Sequence, residues 1–283
     1  MSTAPAPVLD PPDLDEVPDV RLIALDMDGS LLDEDKRLDP SFWPLLEQLE
    51  ARGIVVCPAS GRQYATLRAQ FERDDLVYIA ENGAYVVRDG VELSSDTLLL
   101  PTARAIVEAM RTASADGLDL GTVVCGKRSA YVERADEAFL AQASPYYARL
   151  EVVEDLLAVD DDILKVAVYD FESSERGAGR ALEPFDEADR VVVSGLHWVD
   201  VMSRTADKGA ALQQVQAALG VTREQTMAFG DYFNDVGMLE AAGWSFAMDN
   251  GHPDVRALAR FVAPANTRNG VVRTIASALA IEL

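Results

Sequence analysis

Residues 20–32 read VRLIALDMDGSLL, and this stretch decides the fold. Its first half is a short, largely apolar run, the pattern expected of a strand that is buried on both faces of a parallel sheet. The run ends at Asp26, and Gly29 lets the chain turn sharply soon afterwards. Ligands of doubly wound sheets bind at the carboxyl ends of the strands. The stretch therefore predicts a buried strand that leads directly into a ligand site.

The segments that follow alternate between helical and strand-like patterns. A helical pattern over residues 40–53 stops at Gly53, and the apolar run IVVCPAS over residues 54–60 reads as a second buried strand. Another helix is predicted over residues 61–71, and then a strand over residues 76–87 that turns at Asn82-Gly83. Such alternation predicts right-handed βαβ crossovers and a doubly wound α/β sheet.

The pattern changes after residue 88 and returns at Lys208. Helical stretches near 102–116, 135–143 and 174–185 alternate with predicted strands that have one solvent-exposed face. Residues 190–203 are predicted to form an antiparallel hairpin. We predict an α/β fold with a doubly wound, Rossmann-like parallel-sheet core and an inserted α+β cap domain. The predicted parts are a disordered tail at 1–18, a core made of 19–88 and 203–283, and a cap at 89–202.

Composition excludes several classes of partner. The 283 residues carry a formal net charge of -23, which argues against nucleic acid and against an anionic membrane surface, because both require basic patches. No apolar run approaches the roughly 18 residues that a membrane span needs, and the N-terminus has no secretory signal pattern. We therefore expect a cytoplasmic protein. The sequence leaves monomer and dimer open.

Asp26 and Asp28 form a carboxylate pair directly after the first strand. Residues i and i+2 of an extended segment share a face, so the two carboxylates can converge. They repel each other unless a cation lies between them, and oxygen ligands suit Mg²⁺. A bound Mg²⁺ would also attract a phosphate. The alternative is that both acids only stabilise a turn, where Asp and Gly are common.

Three further segments stand at predicted strand ends. Ser60-Gly61-Arg62 opens a helix, where a hydroxyl and free N–H groups can receive an anion, although Ser60 could be a simple helix cap. Lys208 begins a helix, and it offers a compact positive charge for a phosphoryl oxygen unless it is a solvated surface residue. Residues 230–235, GDYFND, follow a buried strand and supply acids that could complete an oxygen cage around a cation, or else form an acidic loop.

Together these motifs resemble the haloacid dehalogenase superfamily, in its Cof-type branch with the large α+β cap (type IIB). The resemblance spans nearly the whole chain after the tail. Ser30 and Ser60 stand where threonine is commoner in the family, and each keeps the hydroxyl. The motifs occur in the family's order and spacing: Asp26-Met27-Asp28-Gly29-Ser30-Leu31-Leu32, Ser60-Gly61-Arg62, Glu81-Asn82-Gly83, Lys208-Gly209, Gly230-Asp231-Tyr232-Phe233-Asn234-Asp235, and Asn269-Gly270-Val271.

The resemblance implies a role for each residue. Asp26 would attack phosphorus, while Asp28 would protonate the leaving oxygen and later activate water against the aspartyl phosphate. The resemblance further implies that Mg²⁺ is held by the Asp26 carboxylate, the Asp28 backbone carbonyl and Asp231, and that Asp235 ligates or orients. The phosphoryl oxygens would be held at Ser60 and Gly61, Lys208 and Asn234.

The expected function is Mg²⁺-dependent hydrolysis of a small phosphorylated metabolite, such as a sugar phosphate, a nucleotide or a phosphorylated vitamin. A phosphotransferase or phosphomutase is the alternative, because the same aspartyl phosphate would serve it if the cap excluded water. A non-catalytic binding protein would require a lost catalytic group, whereas Asp26, Asp28, Lys208 and Asp231 are all present. The motifs describe the phosphoryl end of the substrate and not its leaving group.

Overall fold

The structure is a computed structural model that describes residues 10–12 and 17–282. The predicted disordered tail, residues 1–18, lies mostly outside these described residues. Within them, no helix combines the length and the apolar character that crossing a membrane requires.

The helices and strands follow one another in an alternating order. The helices are α1 (Phe42–Ala51), α2 (Tyr64–Phe71), α3 (Leu100–Ala115), α4 (Glu137–Ala143), α5 (Ala178–Leu182), α6 (Lys208–Leu219), α7 (Val236–Glu240), α8 (Pro253–Leu258) and α9 (Gly270–Ala278). The strands are β1 (Leu22–Asp26), β2 (Val55–Ala59), β3 (Val77–Ala80), β4 (Tyr85–Arg88), β5 (Val91–Ser95), β6 (Leu120–Gly126), β7 (Ala130–Val132), β8 (Leu150–Val152), β9 (Ile163–Asp170), β10 (Arg190–Val193), β11 (Trp198–Met202), β12 (Thr226–Gly230), β13 (Trp244–Met248) and β14 (Phe261–Ala263).

The first sheet has the strand order β14-β13-β12-β1-β2-β3-β4-β5. Its strands are parallel from β14 to β3, and the last two pair antiparallel. Strand β1 lies in the middle and is buried throughout. Ile23 and Leu25 belong to one apolar cluster, to which α1, α2 and α9 contribute, whereas Leu22 and Ala24 belong to a second, shared with α6, α7 and α8. Helices therefore cover both faces, which confirms the predicted α/β fold class.

The second sheet is inserted in the chain between β5 and β12 and has the order β10-β11-β9-β6-β7-β8. The predicted hairpin is present, since β10 and β11 pair antiparallel. Along β9, Val166 and Val168 pack in a cluster with α3 and α5, while Ala167 and Tyr169 pack in another with α4. Side chains of β9 thus alternate between the two faces of this sheet.

One predicted boundary needs a correction. The cap was predicted to begin at residue 89, yet β5 pairs with β4 and extends the first sheet to Ser95. Strand β5 is an exposed edge strand, and Val91 and Leu93 are exposed on it. An edge strand lacks the buried apolar run that marks the central strands, which is why the sequence pattern changes there too early. The division into a core and a cap remains our proposal.

Candidate active site

A buried lysine lies between two buried carboxylates at the ends of the central strands. Lys208 Nζ is 2.6 Å from Asp26 Oδ1 and 2.7 Å from Asp235 Oδ1. Asp26 is the last residue of β1, Lys208 is the first of α6, and Asp235 lies just beyond β12. The structure thus brings together three residues that the sequence analysis had placed at separate strand ends.

Helix α6 is fixed in a way that aims Lys208 at these acids. Asp207 caps the helix, since its Oδ1 accepts hydrogen bonds from the backbone N–H groups of Gly209 and Ala210. Gly209 permits the close approach of α7, because a Cβ there would lie 2.3 Å from the Gly237 backbone carbon. The cap and the tight packing together position the first residue of α6.

Asp231 adds a third carboxylate to this cluster. One carboxylate oxygen from each of Asp26, Asp231 and Asp235 lies within 4.8 Å of the others. Gly29 has φ +86°, and a Cβ on it would lie 2.2 Å from Asp231 Oδ2, so glycine is needed where the loop after β1 passes this acid. Asp235 Oδ2 accepts hydrogen bonds from the backbone N–H groups of Asp231 and Tyr232. Asp235 therefore also shapes the loop that carries Asp231.

The cluster is short of positive charge. Burial, together with Asp235 and Asp231, raises the pKa of Asp26 to about 8 despite Lys208. Burial and Asp235 likewise raise the pKa of Asp231 to about 6. Although burial lowers it, the two neighbouring acids raise the pKa of Lys208 above its ordinary value. One ammonium group does not balance three carboxylates, so an additional cation would stabilise their ionised forms.

The oxygen-rich cluster fits a divalent cation such as Mg²⁺. Asp26 Oδ2 is buried and has no hydrogen-bond partner among the described residues. Such an oxygen is costly to bury unless a ligand completes its coordination. Mg²⁺ prefers oxygen ligands, and Asp26 and Asp231 supply them, whereas both oxygens of Asp235 already accept hydrogen bonds. Asp235 therefore fits an orienting role better than a direct contact with the metal.

Asp28 lies apart from this cluster and is paired with two basic side chains. Arg62 donates from Nε and Nη2 to the two oxygens of Asp28, each at 2.7 Å, and Lys36 Nζ is 2.8 Å from Oδ1. Burial alone would raise its pKa, but Arg62 and Lys36 outweigh that effect and hold the pKa of Asp28 below its ordinary value. The Asp28 carboxylate is therefore ionised as it stands, the state in which it can accept a proton.

The predicted phosphate-binding residues lie around the same strand ends. Ser60 follows Ala59, which pairs with Asp26 in the sheet. Its hydroxyl oxygen accepts a hydrogen bond from the Arg62 N–H at 3.2 Å. Asn234 donates from Nδ2 to Asn82 Oδ1 at 3.1 Å. Their contacts join these residues to neighbouring loops, and their predicted roles toward phosphate remain predictions.

Sequence reasoning did not assign roles to Arg62, Lys36 or Asn82. Arg62 and Asn82 stood inside quoted motifs, and the need to compensate Asp28 could have pointed to the adjacent arginine. Asn82 donates its N–H to the Ser60 carbonyl at 2.9 Å and so links two motif loops. Lys36 carries no such signal, because it lies in an exposed loop that only the fold brings to Asp28.

Known proteins resemble this chain along most of its length. A sequence model described as haloacid dehalogenase-like hydrolase matches residues 23–275. The chain is 31% identical over 264 residues to the 5-amino-6-(5-phospho-D-ribitylamino)uracil phosphatase YbjI of Escherichia coli (strain K12). The aligned region covers 90% of this chain and 95% of the relative. A crystal structure of SMU.1108c from Streptococcus mutans UA159 aligns with TM-score 0.80 at 27% identity, over 92% of this chain and 99% of that one.

A further structural neighbour shares the architecture at lower identity. It is the haloacid dehalogenase subclass IIB sugar phosphatase BT4131, with TM-score 0.73 and 21% identity over 90% of this chain and 98% of the other. At this identity the likeness concerns the fold alone. Because the alignment covers 90% of this chain, it extends into the inserted second sheet.

Proposed function

The chain belongs to the haloacid dehalogenase-like hydrolases, and on that premise we propose that it hydrolyses small phosphorylated metabolites through an aspartyl phosphate formed on Asp26. The predicted family and the predicted class of enzyme, a phosphatase of that family, are confirmed by the match and by the relatives' names. The observation that carries the mechanistic proposal is the buried Asp26 carboxylate, which is held by Lys208 at 2.6 Å and keeps its other oxygen without a partner among the described residues.

In the first half-reaction, an Asp26 oxygen attacks phosphorus and the bond between phosphorus and the leaving oxygen breaks. Asp28 delivers a proton to that oxygen, so the product leaves as an alcohol. Because Arg62 and Lys36 favour the ionised form of Asp28, the carboxyl must loosen one of these contacts to carry the proton.

In the second half-reaction, the ionised Asp28 accepts a proton from water, and the water oxygen attacks the aspartyl phosphate. The acyl phosphate bond breaks at phosphorus, inorganic phosphate leaves and the Asp26 carboxylate is restored. The route replaces one difficult displacement by two easier ones. The ion pairs of Asp28 favour this second step directly.

Asp26, the Asp28 backbone carbonyl and Asp231 would hold Mg²⁺, with Asp235 orienting the loop that carries Asp231. When bound, the metal offsets negative charge between the carboxylates and the phosphoryl oxygens. Lys208 contributes a fixed positive charge at the same place, and Ser60, Gly61 and Asn234 would receive the remaining phosphoryl oxygens.

The first substrate to test is 5-amino-6-(5-phospho-D-ribitylamino)uracil, because YbjI is named for it and is 31% identical to this chain. It belongs to the class of small phosphorylated metabolites that we propose. A cytoplasmic location is part of the same proposal.

The experiment compares release of inorganic phosphate from this compound, from hexose phosphates and from p-nitrophenyl phosphate, with and without Mg²⁺. Borohydride added during turnover should reduce an aspartyl phosphate at residue 26 to homoserine, which mass spectrometry identifies. Free phosphate without a modified residue 26 would overturn the covalent mechanism. Transfer of phosphate to an added alcohol, with little free phosphate, would favour a phosphotransferase instead.

A further inference from the structure

A second buried lysine connects the two sheets beside the candidate active site. Lys165 lies on β9 of the second sheet, and its Nζ contacts loops that follow two strands of the first sheet. Nζ donates to the Gly61 carbonyl at 3.1 Å and lies 2.9 Å from Glu81 Oε2. Asp200 Oδ1, on the neighbouring strand β11, is 3.7 Å away. Lys165, Glu81 and Asp200 together are called the inter-sheet cluster below.

Burying the three charged side chains of the inter-sheet cluster has a large cost in desolvation free energy. The exposed fractions of Lys165, Glu81 and Asp200 are only 5%, 1% and 8%. Glu81 Oε1 is buried without a hydrogen-bond partner among the described residues. Buried ion pairs often contribute little to stability compared with apolar residues of the same volume. The position of Lys165 therefore calls for a reason other than stability.

One contact of Lys165 is with a loop that carries predicted phosphate-binding residues, and the other is with a turn that is hydrogen-bonded to two of them. The Gly61 carbonyl belongs to the loop that begins with Ser60. Glu81 precedes Asn82, whose N–H donates to the Ser60 carbonyl at 2.9 Å and whose Oδ1 accepts from Asn234 at 3.1 Å.

The Glu81-Asn82 turn also needs to be held in place. Glu81 and Asn82 have φ values of +51° and +55°, in the left-handed region that residues other than glycine rarely adopt. Such a conformation persists only when surrounding contacts fix it. Lys165 provides one of these contacts from the other sheet.

We infer that Lys165 is a positioning residue, through which the second sheet holds the Gly61 carbonyl and the Glu81-Asn82 turn in the arrangement that binds the phosphoryl group. This inference rests on the proposed phosphatase function and extends it to the second sheet. The phosphoryl site is then complete only when that sheet is docked.

A separate set of contacts allows this role to be tested apart from docking itself. Gln63 and the backbone of Arg149 exchange two hydrogen bonds, at 2.9 and 3.0 Å. Thr66 Oγ1 donates to the Tyr146 carbonyl and accepts from the Ala148 N–H, both at 3.0 Å. These four bonds join α2 and its cap residue Gln63 to the loop that leads into β8 of the second sheet, and none of them involves Lys165. Loss of Lys165 should therefore leave the two sheets in contact.

The experiment compares Lys165→Met with Lys127→Met in the Mg²⁺-loaded enzyme. Lys127 is a matched control, because it also joins the sheets, with Glu92 at 2.9 Å and Asp162 at 3.2 Å, but does not touch the phosphate-binding loops. For Lys165→Met we expect kcat/KM for p-nitrophenyl phosphate to fall by about 10- to 100-fold, and inhibition by inorganic phosphate to weaken by about tenfold, since small misplacements are costly. Lys127→Met should stay within about twofold of wild type on both measures.

A triple variant distinguishes weaker phosphate binding from a loss of folding. Lys165→Met leaves two buried carboxylates unpaired, so Lys165→Met/Glu81→Gln/Asp200→Asn removes all three charges at similar volume. The triple variant supports the positioning role of Lys165 if it has the same unfolding temperature as wild type but binds phosphate as weakly as we expect of Lys165→Met.

Three outcomes would contradict the inference. The positioning role would be wrong if inorganic phosphate inhibited the folded triple variant as strongly as it inhibits wild type. It would also be wrong if inorganic phosphate inhibited Lys165→Met and Lys127→Met equally. Either result would leave the proposed phosphatase function intact. A wild-type enzyme that releases no phosphate from any ester would overturn the proposed function, and this inference with it.

Discussion

Two regions of this molecule share one arrangement, in which a buried lysine lies between two buried carboxylates, but they differ in their surroundings. At the ends of β1 and β12, Lys208 lies between Asp26 and Asp235 at 2.6 and 2.7 Å. In the inter-sheet cluster, Lys165 lies between Glu81 and Asp200 at 2.9 and 3.7 Å. Among the residues that the structure describes, only the first cluster has a third acid, Asp231, beside it.

The difference lies in charge and in what each cluster connects. Three carboxylates against one ammonium group leave the first cluster in need of a cation, whereas the second is nearer to balance and joins two sheets. A lysine between acids is therefore not by itself the mark of a catalytic site. The additional acid makes the distinction, because it leaves the first cluster with negative charge that a cation would balance.

The largest expected effect is a loss of turnover when Asp26 of the first cluster is replaced. Asp26→Asn keeps the shape of the side chain but removes the proposed nucleophile, so we expect turnover to fall by about 10⁴-fold. Phosphate release and borohydride trapping at residue 26 measure the effect. The control is Asp116→Asn, the same change at an exposed position after α3, which should behave like wild type. Equal activity in Asp26→Asn and wild type would exclude Asp26 as the nucleophile.

The next largest effect concerns the cation that we propose for the first cluster. Chelation should abolish activity and added Mg²⁺ should restore it. Asp231→Asn should weaken Mg²⁺ affinity by about 10- to 100-fold, because it removes one of the charged ligands. Calorimetric titration of metal into the chelated protein measures this without turnover. Unchanged affinity in Asp231→Asn would show that the cation binds elsewhere.

A smaller effect is expected at Asp28, the proposed acid and base, which lies apart from the first cluster. Arg62→Met removes the bidentate partner of Asp28 and leaves Lys36, so we expect kcat to fall by about tenfold. The loss of the guanidinium group also raises the pKa of Asp28. Its ionised form then exists only at higher pH, so the acidic limb of the kcat profile should move to higher pH. Arg37→Met, in the exposed loop beside Lys36, is the matched control, and an identical shift in it would refute the pairing.

The smallest expected effect is the pH dependence of stability in the inter-sheet cluster. Burial raises the pKa of Glu81 above its ordinary 4.5, despite Lys165. The folded protein therefore binds this proton more tightly than the unfolded chain, and stability falls as the pH rises from 4.5 to the folded-state pKa.

Glu81→Gln cannot ionise and escapes this loss. Its free energy of unfolding relative to wild type should therefore increase with pH across that window, as urea denaturation between about pH 4 and pH 8 would measure. The exposed Glu108→Gln on α3 should show no such trend. A relative stability of Glu81→Gln that does not change with pH would contradict the raised pKa.

Much of the fold follows from local patterns in the sequence. The apolar run that ends at Asp26 predicted a buried central strand, and β1 is buried throughout. The hairpin of β10 and β11 and the helices near α3 and α4 were also predicted, because periodicity and turn residues act over short distances. Strand β5 was not predicted, and its residues were included in the predicted cap, since an edge strand has neither a buried run nor a local signal for its partner.

The sequence by itself determined the family and the order of the motif residues, because the chemistry of phosphoryl transfer requires particular side chains at strand ends. Only the tertiary structure decided which side chains contact these residues: Asp28 pairs with Arg62 and Lys36, and Lys165 contacts the Gly61 carbonyl and Glu81. Lys165 is 104 residues from Gly61 along the chain. No local pattern records a contact of that kind, because it arises only when two sheets that fold from separate segments pack against each other.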